Sequence, residues 1–512
     1  MTLFRTGDPR PIHFMGIAGA GMSALAMIAR HRGVAITGCD SDTSGAGVAD
    51  LTALGVQVWQ GHDPSHVDAA RAVVVTAAVP REHPELERAR ALGLSVVRRA
   101  DALGELVNPG GGGKSSLVAV AGTHGKTTTT VMVTEALTAA GRNPTGLAGG
   151  RVAAWGGNAR IGGDDLYVVE ADEYDKSFLS LQPTVAVVNN VEADHLECYG
   201  SMEALEAAFA DFASRAQRVI VGADDAGADR VALRIEAPVW RVGHGATADV
   251  RIRAVRLEPS GSRATISLPD GHSVELVLAV PGLHNVRNAA TALAVVHSLG
   301  ADVEVGAKAL TEFHGVGRRF ERLGEAGGIT VVDDYAHHPT EVAATLAAAR
   351  QAFPGRRVIA VFQPHLFSRT ALHGEALGKA LAAADMVVVA PIYASREQPQ
   401  DGVTHHLVVR GATRAGAATV GVRDRAGLTT HVARAVREGD VVFTLGAGDI
   451  TRVGPELLLI LNGGSRQQGA IAGSGSSACR GCRVSPGAYW RGRPWSWWSW
   501  WRGRRRRLRC GG

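Results

Sequence analysis

Short apolar runs alternate with amphipathic stretches along most of the chain. The run Ile12–Met15 meets a glycine-rich turn, a helical pattern follows over Met22–Arg30, and a second run, starting at Val34, ends at Asp40. This order of strand, turn, helix and strand predicts the opening of a βαβ unit. The same unit is predicted to contain strands at 73–76 and 94–97 and a helix around 84–92.

A second unit repeats this order after residue 116. The strand Leu117–Ala121 leads into the turn GTHGKTTTT and then into a helix that reaches Gly141. Strands at Asp165–Glu170 and Thr184–Asn190 continue the alternation, which predicts a parallel sheet covered by helices. A third block begins beyond Arg319, with alanine-rich helices between strands predicted at 329–332, 357–362, 386–390 and 440–445.

The chain length predicts several domains. At 512 residues, and with roughly 100–200 residues per domain, three domains are expected. The stretch NPGGGGKSS at 108–116 has the composition of a flexible linker and marks the first boundary. We therefore predict an α/β protein divided into domains at 1–110, 117–320 and 321–462, with a disordered Trp/Arg-rich basic tail at 463–512.

Composition and charge exclude several classes of protein. No apolar run approaches the roughly 18 residues of a membrane span, and no signal-peptide pattern opens the chain, so a cytoplasmic protein without stable membrane insertion is expected. The formal net charge is +5, but the tail holds eleven arginines and no acidic residue, which leaves −6 for residues 1–462. The positive charge therefore gives no reason to expect nucleic-acid binding by the folded part.

The strongest chemical signal is the turn between the strand at 117–121 and the next helix. Glycines let the backbone N–H groups face phosphate oxygens, and the helix N-terminus adds positive potential. Lys126 is expected to reach the terminal phosphates, and the Thr127 hydroxyl to bind Mg²⁺. The predicted phosphate-binding residues are Gly122, Thr123, His124, Gly125, Lys126, Thr127 and Thr128.

The N-terminal turn is a weaker candidate for a diphosphate site. Gly16, Gly19 and Gly21 follow a strand and precede a helix, although their spacing is not that of the dinucleotide fingerprint. Asp40, at the end of the next strand, can accept a hydrogen bond from a ribose or sugar hydroxyl. On the residues alone, a simple packing turn explains this pattern equally well.

Carboxylates at predicted strand ends indicate a cation site. Glu170 terminates a strand and begins the segment EADEYD, so it is the best candidate ligand for Mg²⁺, which prefers oxygen donors. His195 closes the later segment NNVEADH and is either a further metal ligand or a capping or core histidine. The motif GLHNVRN offers side-chain amides that can read an adenine edge or cap a helix.

Eight motifs occur in one order over residues 12–370. They are GIAGAGM, GTHGKTT, EADEYD, NNVEADH, GLHNVRN, GVGRRFE, DDYAHHP and QPHLFSRT. Together they resemble the Mur ligases, and the resemblance spans residues 1–462. It implies three domains: a Rossmann-like domain for a UDP-sugar, a central P-loop ATPase domain and a Rossmann-like C-terminal domain for the amino acid.

The resemblance implies an activity as well as a fold. It implies ATP-dependent ligation of L-alanine to the carboxylate of UDP-N-acetylmuramate through an acyl phosphate, in the synthesis of peptidoglycan precursors, with ATP and Mg²⁺ as cofactors. The UDP-sugar is assigned to Gly16, Gly19, Gly21 and Asp40. Positions that hold phosphates and magnesium in the family are Lys126, Thr127, Glu170 and His195. Nucleotide contacts are implied for His284, Asn285, Asn288 and Arg319, and catalytic positions near the acyl phosphate for His337 and Arg369.

Three other functions are compatible with parts of the sequence. A ligase of the same family that reattaches a recycled peptide to UDP-N-acetylmuramate would carry the same motifs. A nicotinamide-dependent dehydrogenase would use the first βαβ unit but leaves GTHGKTT and EADEYD without a role. A basic binding protein would act through the tail alone. The sequence carries no signal for the oligomeric state.

Overall fold

A computed structural model describes residues 3–76, 78–108, 115–395 and 397–471. Residues Met1–Gly464 form one compact unit, and the sites considered below lie within it. Most of the predicted linker at 108–116 and the predicted tail beyond residue 471 lie outside the described residues. Within those residues, no helix combines the length and the apolar character that crossing a membrane requires.

The first sheet contains five parallel strands in the order β3-β2-β1-β4-β5. Its central strand β1 is wholly buried, and the strand order reverses between β1 and β4, where ligands bind in open α/β sheets. The strands are β1 Ile12–Met15, β2 Ile36–Asp40, β3 Gln57–Gln60, β4 Ala72–Val75 and β5 Ser95–Arg98. The helices are α1 Ala20–His31, α2 Ala46–Ala53, α3 Pro84–Ala91 and α4 Arg99–Val107, with a 3₁₀ helix at Pro64–Val67.

The second sheet has ten strands in the order β15-β14-β13-β12-β11-β10-β6-β9-β7-β8. Its strands are β6 Ser116–Ala121, β7 Thr145–Val152, β8 Gly157–Arg160, β9 Leu166–Glu170, β10 Val185–Val188, β11 Arg218–Gly222, β12 Val239–Gly243, β13 Val250–Glu258, β14 Gly261–Ser267 and β15 Ser273–Leu278. The helices are α5 Lys126–Ala139, α6 Leu196–Tyr199, α7 Met202–Ser214, α8 Ala226–Ala232, α9 Leu283–Ser298 and α10 Val303–Ala309.

An antiparallel extension of this sheet was not predicted. Strands β13, β14 and β15 pair antiparallel, and β15 alternates exposed and buried positions along SVELVL. One face packs against α9 while the other meets solvent, so these strands lack the continuous apolar runs of parallel strands buried on both faces. A search for continuous apolar runs therefore passes over them.

The third sheet has six strands in the order β16-β17-β21-β18-β19-β20, and β16 is antiparallel to β17. Its strands are β16 Glu321–Ala326, β17 Ile329–Asp334, β18 Val358–Phe362, β19 Met386–Val389, β20 Thr419–Gly421 and β21 Val441–Leu445. The helices are α11 Pro339–Ala352, α12 Phe367–Leu381, α13 His406–Arg414, α14 Leu428–Ala435 and α15 Val453–Ile471. Helix α15 continues to Ile471, past residue 463, where the sequence predicts the tail to begin.

We call the three sheets with their helices the first, second and third domains. Each domain alternates buried strands with helices, which confirms the predicted α/β class. The carboxyl ends of β1, β6 and β17 each lead into a polar or glycine-rich turn. These turns contain most of the candidate binding and catalytic residues predicted from the sequence.

Candidate active site

The turn after β6 has the geometry of a phosphate-binding loop. Gly125 is left-handed at φ +77° and caps the N-terminus of α5. A Cβ on Gly125 would lie 2.7 Å from Oδ1 of Asn288, so only glycine fits there without displacing the neighbouring side chain. The next two threonines, Thr127 and Thr128, are buried at the start of α5. The predicted strand, the loop that begins at Gly122 and the helix that follows it are therefore all present.

Lys126 is held inside this loop by a carboxylate that the sequence did not assign to it. Its Nζ donates to the carbonyl oxygen of Gly122 at 2.7 Å and lies 2.8 Å from Oε2 of Glu173. Burial lowers the pKa of Lys126, but Glu173 and Asp172 outweigh burial and raise the pKa above its ordinary value. The ammonium is therefore charged before any ligand arrives.

Two asparagines at the end of β10 hold the loop in shape. The backbone N–H of His124 donates to Oδ1 of Asn190 at 2.7 Å, and the side-chain amides of Asn189 and Asn190 both donate to the His124 carbonyl oxygen. Neither asparagine was proposed as a site residue. The signal that could have found them is their place at the end of a buried strand neighbouring β6.

A cleft of about 330 Å³ opens on one side of the loop. His284, Asn285 and Asn288 from the start of α9 line it together with His124, Gly125, Thr127, Thr128 and Arg319. The structure therefore brings together the residues that the sequence assigned to the nucleotide. Burial lowers the pKa of His284 to about 4, so the ring is neutral at pH 7. The Asn285 amide donates to the Pro281 carbonyl at 2.7 Å, so this side chain also caps its helix.

A larger cleft of about 1230 Å³ lies on the other side of the loop and is lined by residues of all three domains. Gly125, Thr127 and Arg319 line both clefts, so the phosphate-binding loop separates them. The larger cleft contains every residue predicted for the UDP-sugar, the cation and catalysis. These are Gly16, Gly19, Gly21, Asp40, Lys126, Thr127, Glu170, His195, His337 and Arg369.

The first domain contributes its glycine turn to this cleft. Gly16 is left-handed at φ +78°, and its backbone N–H donates to the Cys39 carbonyl oxygen at 2.9 Å. Oδ2 of Asp40 accepts from the backbone N–H of Ala18 at 2.9 Å. Asp40 therefore has a structural role, because it fixes the turn in addition to facing the cleft. Arg99 lies beside Gly21 and was not predicted.

The predicted cation ligands lie at the carboxyl edge of the second sheet. Oε2 of Glu170 accepts from the backbone N–H of Gly149 at 2.5 Å. His195 is left-handed at φ +54°, precedes the short helix α6, and its Nδ1 lies 3.3 Å from Oε1 of Glu197. Glu170, His195 and Thr127 thus reach one cleft from three different segments.

Arg369 of the third domain is joined to Asp194 of the second domain. Its Nη2 and Nε donate to Oδ1 of Asp194 at 2.7 and 3.2 Å, and both side chains are buried. Burial would raise the pKa of Asp194, but the guanidinium holds it well below its ordinary value. His337 lines the same cleft, and burial lowers its pKa to about 4, so its ring is neutral.

A second group of charges joins the same two domains next to the loop. Nδ1 of His124 lies 3.3 Å from Oε1 of Glu341, and Nη1 of Arg319 lies 3.7 Å from the same oxygen. Burial lowers the pKa of His124, but Glu341 and Glu192 outweigh it and raise the pKa to about 9. The Thr340 hydroxyl donates to Oε2 of Glu192 at 2.6 Å and adds a further link between the domains.

Comparison with known proteins identifies the class to which this fold and cleft belong. Residues 11–109 match the catalytic domain of the Mur ligase family, residues 120–296 the Mur ligase middle domain, and residues 318–448 the glutamate ligase domain of Mur ligases. The chain belongs to the Mur ligase family. The resemblance and the three-domain α/β architecture that it implied are confirmed.

Individual relatives narrow the comparison. The UDP-N-acetylmuramate–L-alanine ligase of Thermobifida fusca is 45% identical over 460 residues, covering 87% of this chain and 96% of that protein. The crystal structure of the UDP-N-acetylmuramate–alanine ligase of Thermotoga maritima matches with a TM-score of 0.73 at 29% identity, over 90% of this chain and 99% of its own. The crystal structure of a murein peptide ligase of Psychrobacter arcticus matches with a TM-score of 0.67 at 26% identity. The match covers 88% of this chain and 98% of that chain.

Proposed function

We propose that this protein ligates L-alanine to the carboxylate of UDP-N-acetylmuramate, with ATP converted to ADP and phosphate, as a step of peptidoglycan precursor synthesis. The observation that carries the proposal is the large cleft, where the glycine turn, the phosphate-binding loop and the pair Arg369–Asp194 meet. The 45% identical relative named for this reaction supports the choice of substrates. Because ATP and nucleotide sugars are cytoplasmic metabolites, the proposal places the reaction in the cytoplasm, with no role for nucleic acid.

The first step activates a carboxylate that is otherwise a poor acceptor for an amine. A carboxylate oxygen of the sugar attacks the γ-phosphorus of ATP, the bond to the bridging oxygen breaks, and ADP leaves an acyl phosphate behind. Catalysis of such a transfer is mainly positioning and charge stabilisation. Backbone N–H groups of the loop and the Lys126 ammonium supply that stabilisation, while the smaller cleft holds the nucleoside.

The second step forms the amide bond. The unprotonated amine of L-alanine attacks the acyl carbon, the tetrahedral intermediate releases one N–H proton to water, and phosphate leaves with the electrons of the broken C–O bond. Two N–H groups of Arg369 are committed to Asp194, and its Nη1 lies 3.3 Å from Nδ1 of His365. Arg369 lines the cleft, where its positive charge would attract the alanine carboxylate. A neutral His337 accepts a hydrogen bond from the amine and keeps a second positive charge away from it.

The residues at the sheet edge fit a magnesium ion. Glu170 accepts one backbone N–H from Gly149, so lone pairs of its carboxylate are available to a hard cation. Thr127, Glu170 and His195 would hold the ion, with His195 the weakest donor of the three because imidazole is less suited to magnesium. Bound there, the ion would neutralise charge on the phosphate oxygens.

Phosphate release tests the proposal directly. The purified chain is incubated with ATP, Mg²⁺ and UDP-N-acetylmuramate, and L-alanine, glycine, L-serine or a muropeptide tripeptide is supplied one at a time. We expect release to require the sugar nucleotide and to be fastest with L-alanine. Faster release with the tripeptide would assign the chain to peptide recycling instead, and an NAD-dependent absorbance change without ATP would favour a dehydrogenase.

A further inference from the structure

Four metal-binding types of side chain converge inside the first domain, on the face of its sheet covered by α3 and the 3₁₀ helix Pro64–Val67. His13 stands on β1 and Cys39 on β2, and both are fully buried. His66 comes from the 3₁₀ helix and Glu85 from the first turn of α3. No step of the proposed reaction uses any of these four side chains.

The ligand atoms of the four residues all lie within 4.8 Å of one another. Nε2 of His13 is 3.3 Å from Sγ of Cys39, and Sγ is 3.3 Å from Oε2 of Glu85. Nδ1 of His66 is 2.8 Å from Oε1 of Glu85. The donors therefore form one compact cluster rather than a line along the sheet.

The two 3.3 Å separations to Sγ are close to the edges of a tetrahedral zinc site, whereas the 2.8 Å separation between His66 and Glu85 is a hydrogen bond that would lengthen on metal binding. With Zn–N and Zn–O bonds of about 2.0–2.1 Å and a Zn–S bond of about 2.3 Å, the donor atoms of such a site stand about 3.3–3.7 Å apart. Two imidazoles, one thiolate and one carboxylate are all donors that zinc accepts, and the thiolate disfavours magnesium and calcium. A divalent ion would also balance Glu85, a carboxylate with no exposed surface.

Neighbouring groups fix the orientation of the donor side chains, as the hydrogen-bond partners of metal ligands do in known metal sites. Nδ1 of His13 lies 3.1 Å from the Thr37 hydroxyl, which leaves Nε2 directed at Cys39. The ring of His66 stacks on Trp59 with centroids 4.6 Å apart. Oε1 of Glu85 accepts from the backbone N–H of Asp63 at 3.0 Å. Three of the four donors are thus oriented by groups that do not themselves ligate.

We propose that His13, Cys39, His66 and Glu85 bind a structural zinc ion in the first domain. The site lies directly behind the glycine turn, because the Cys39 carbonyl oxygen accepts from the backbone N–H groups of Gly16 and Ile17 at 2.9 and 3.1 Å. The ion would therefore brace the wall of the large cleft without touching the reacting atoms. The proposal does not depend on the proposed ligase activity.

Cobalt substitution tests the site, because a cysteine thiolate on tetrahedral Co²⁺ gives a charge-transfer band and intense visible bands that oxygen ligands do not produce. The full chain carries three tail cysteines, Cys479, Cys482 and Cys510, and these are first changed to serine. The metal-stripped protein is then titrated with Co²⁺ alone. We expect one equivalent to produce both sets of bands and Zn²⁺ to displace them.

Matched variants assign the bands to the cluster. Cys39→Ser should abolish the charge-transfer band, whereas Cys198→Ser, at the other cysteine of the described part of the chain, should retain it. Thr37→Val should weaken binding about 10–100-fold through loss of the outer partner of His13. Bands that survive in Cys39→Ser, or that are absent from the protein lacking tail cysteines, would overturn the proposal.

A second measurement covers the case in which Cys39→Ser does not fold. X-ray absorption at the zinc edge of the zinc-loaded protein without tail cysteines should show one sulfur and three nitrogen or oxygen neighbours. The melting temperature of the same protein should rise with Zn²⁺, since a ligand that binds only the folded state stabilises it. A shell without sulfur, or an unchanged melting temperature, would contradict the site.

Discussion

Arg369 and Asp194 form a buried ion pair between the third and second domains, with Nη2 of the arginine 2.7 Å from Oδ1 of the aspartate. The pair places a residue expected to meet the amino acid beside the loop expected to hold the cation. Because both side chains line the large cleft, the relative position of the two domains determines whether the cleft is fully formed. Breaking the pair therefore tests stability and function together.

Asp194→Asn should destabilise the protein by about 3–5 kcal/mol, because it leaves the Arg369 charge buried without its partner. Chemical denaturation of the single variants and of Asp194→Asn/Arg369→Met measures the coupling, and the double variant should recover part of the loss. The control is Arg414→Ala, which removes an exposed ion pair with Glu375 and should cost less than about 1 kcal/mol. Equal destabilisation by Asp194→Asn and by Arg414→Ala would contradict the prediction.

Lys126→Ala should abolish ligase activity and leave the fold intact. Loss of one donor to developing charge costs about 10²–10³-fold or more in rate. The measurement is phosphate release at saturating substrates, with circular dichroism as the check on folding. Lys308→Ala, at an exposed position of α10, serves as the matched control and should retain full turnover. Turnover of Lys126→Ala close to that of the unaltered protein would remove the phosphate-binding assignment.

Glu170→Gln should raise the magnesium concentration needed for half-maximal activity, since the change keeps size but removes one negative charge from the proposed site. His195→Ala should act in the same direction but more weakly. Glu173→Gln separates a second role, because its carboxylate holds Lys126 and its loss should lower kcat at every magnesium concentration. If the magnesium dependence were unchanged in Glu170→Gln but shifted in Glu173→Gln, Glu173 rather than Glu170 would be the magnesium ligand.

The stability of the ligand-free protein should fall between about pH 6.5 and pH 9 because of His124. Burial opposes the positive charge of His124, but Glu341 and Glu192 raise its pKa from 6.5 to about 9. The protonated ring therefore stabilises the folded state fully below pH 6.5, its pKa in the unfolded chain. This stabilisation is lost as the pH rises through the folded-state pKa of about 9. The contribution is at most about 3 kcal/mol. Melting temperatures across this range should fall less steeply in His124→Gln.

His272→Gln provides the control for that pH series. His272 pairs with Glu304 at the surface, where both side chains are at least half exposed, so its removal should leave the slope of the pH profile unchanged. His338 of the third domain contacts both His124 and Glu192 of the second domain. We expect His338→Gln to alter the slope of the pH profile only modestly. An unchanged slope in His124→Gln would show that other groups govern this pH range.

Truncation after Ile471 should leave turnover and melting temperature unchanged and improve solubility. The removed segment, 472–512, contains ten arginines and no acidic residue, a composition that cannot form a core of its own. The cut preserves α15, whose Val453 and Leu457 are buried in the third domain. Loss of activity, or of association with anionic vesicles shown by the full chain, would contradict this prediction.

Local chemistry made much of the architecture predictable. The strands predicted at Ile12–Met15 and Leu117–Ala121 form, because each short apolar run is followed at once by glycine and then by a helical pattern. Gly122 and Gly125 have positive φ values that other residues adopt at a cost, so the turn itself was readable from residue type. Strands β13–β15 escaped prediction because their apolar residues alternate with polar ones.

The sequence by itself determined the α/β class, the strand–loop–helix elements and the residue types available for chemistry, because those depend on near neighbours along the chain. Only the tertiary structure decided which side chains meet. Lys126 meets Glu173 and Arg369 meets Asp194 across strand ends and domain contacts, and His13 meets Glu85 across the face of a sheet. Such pairings follow from strand order and domain packing, which arise from many weak apolar contacts over the whole chain and leave no local periodic trace.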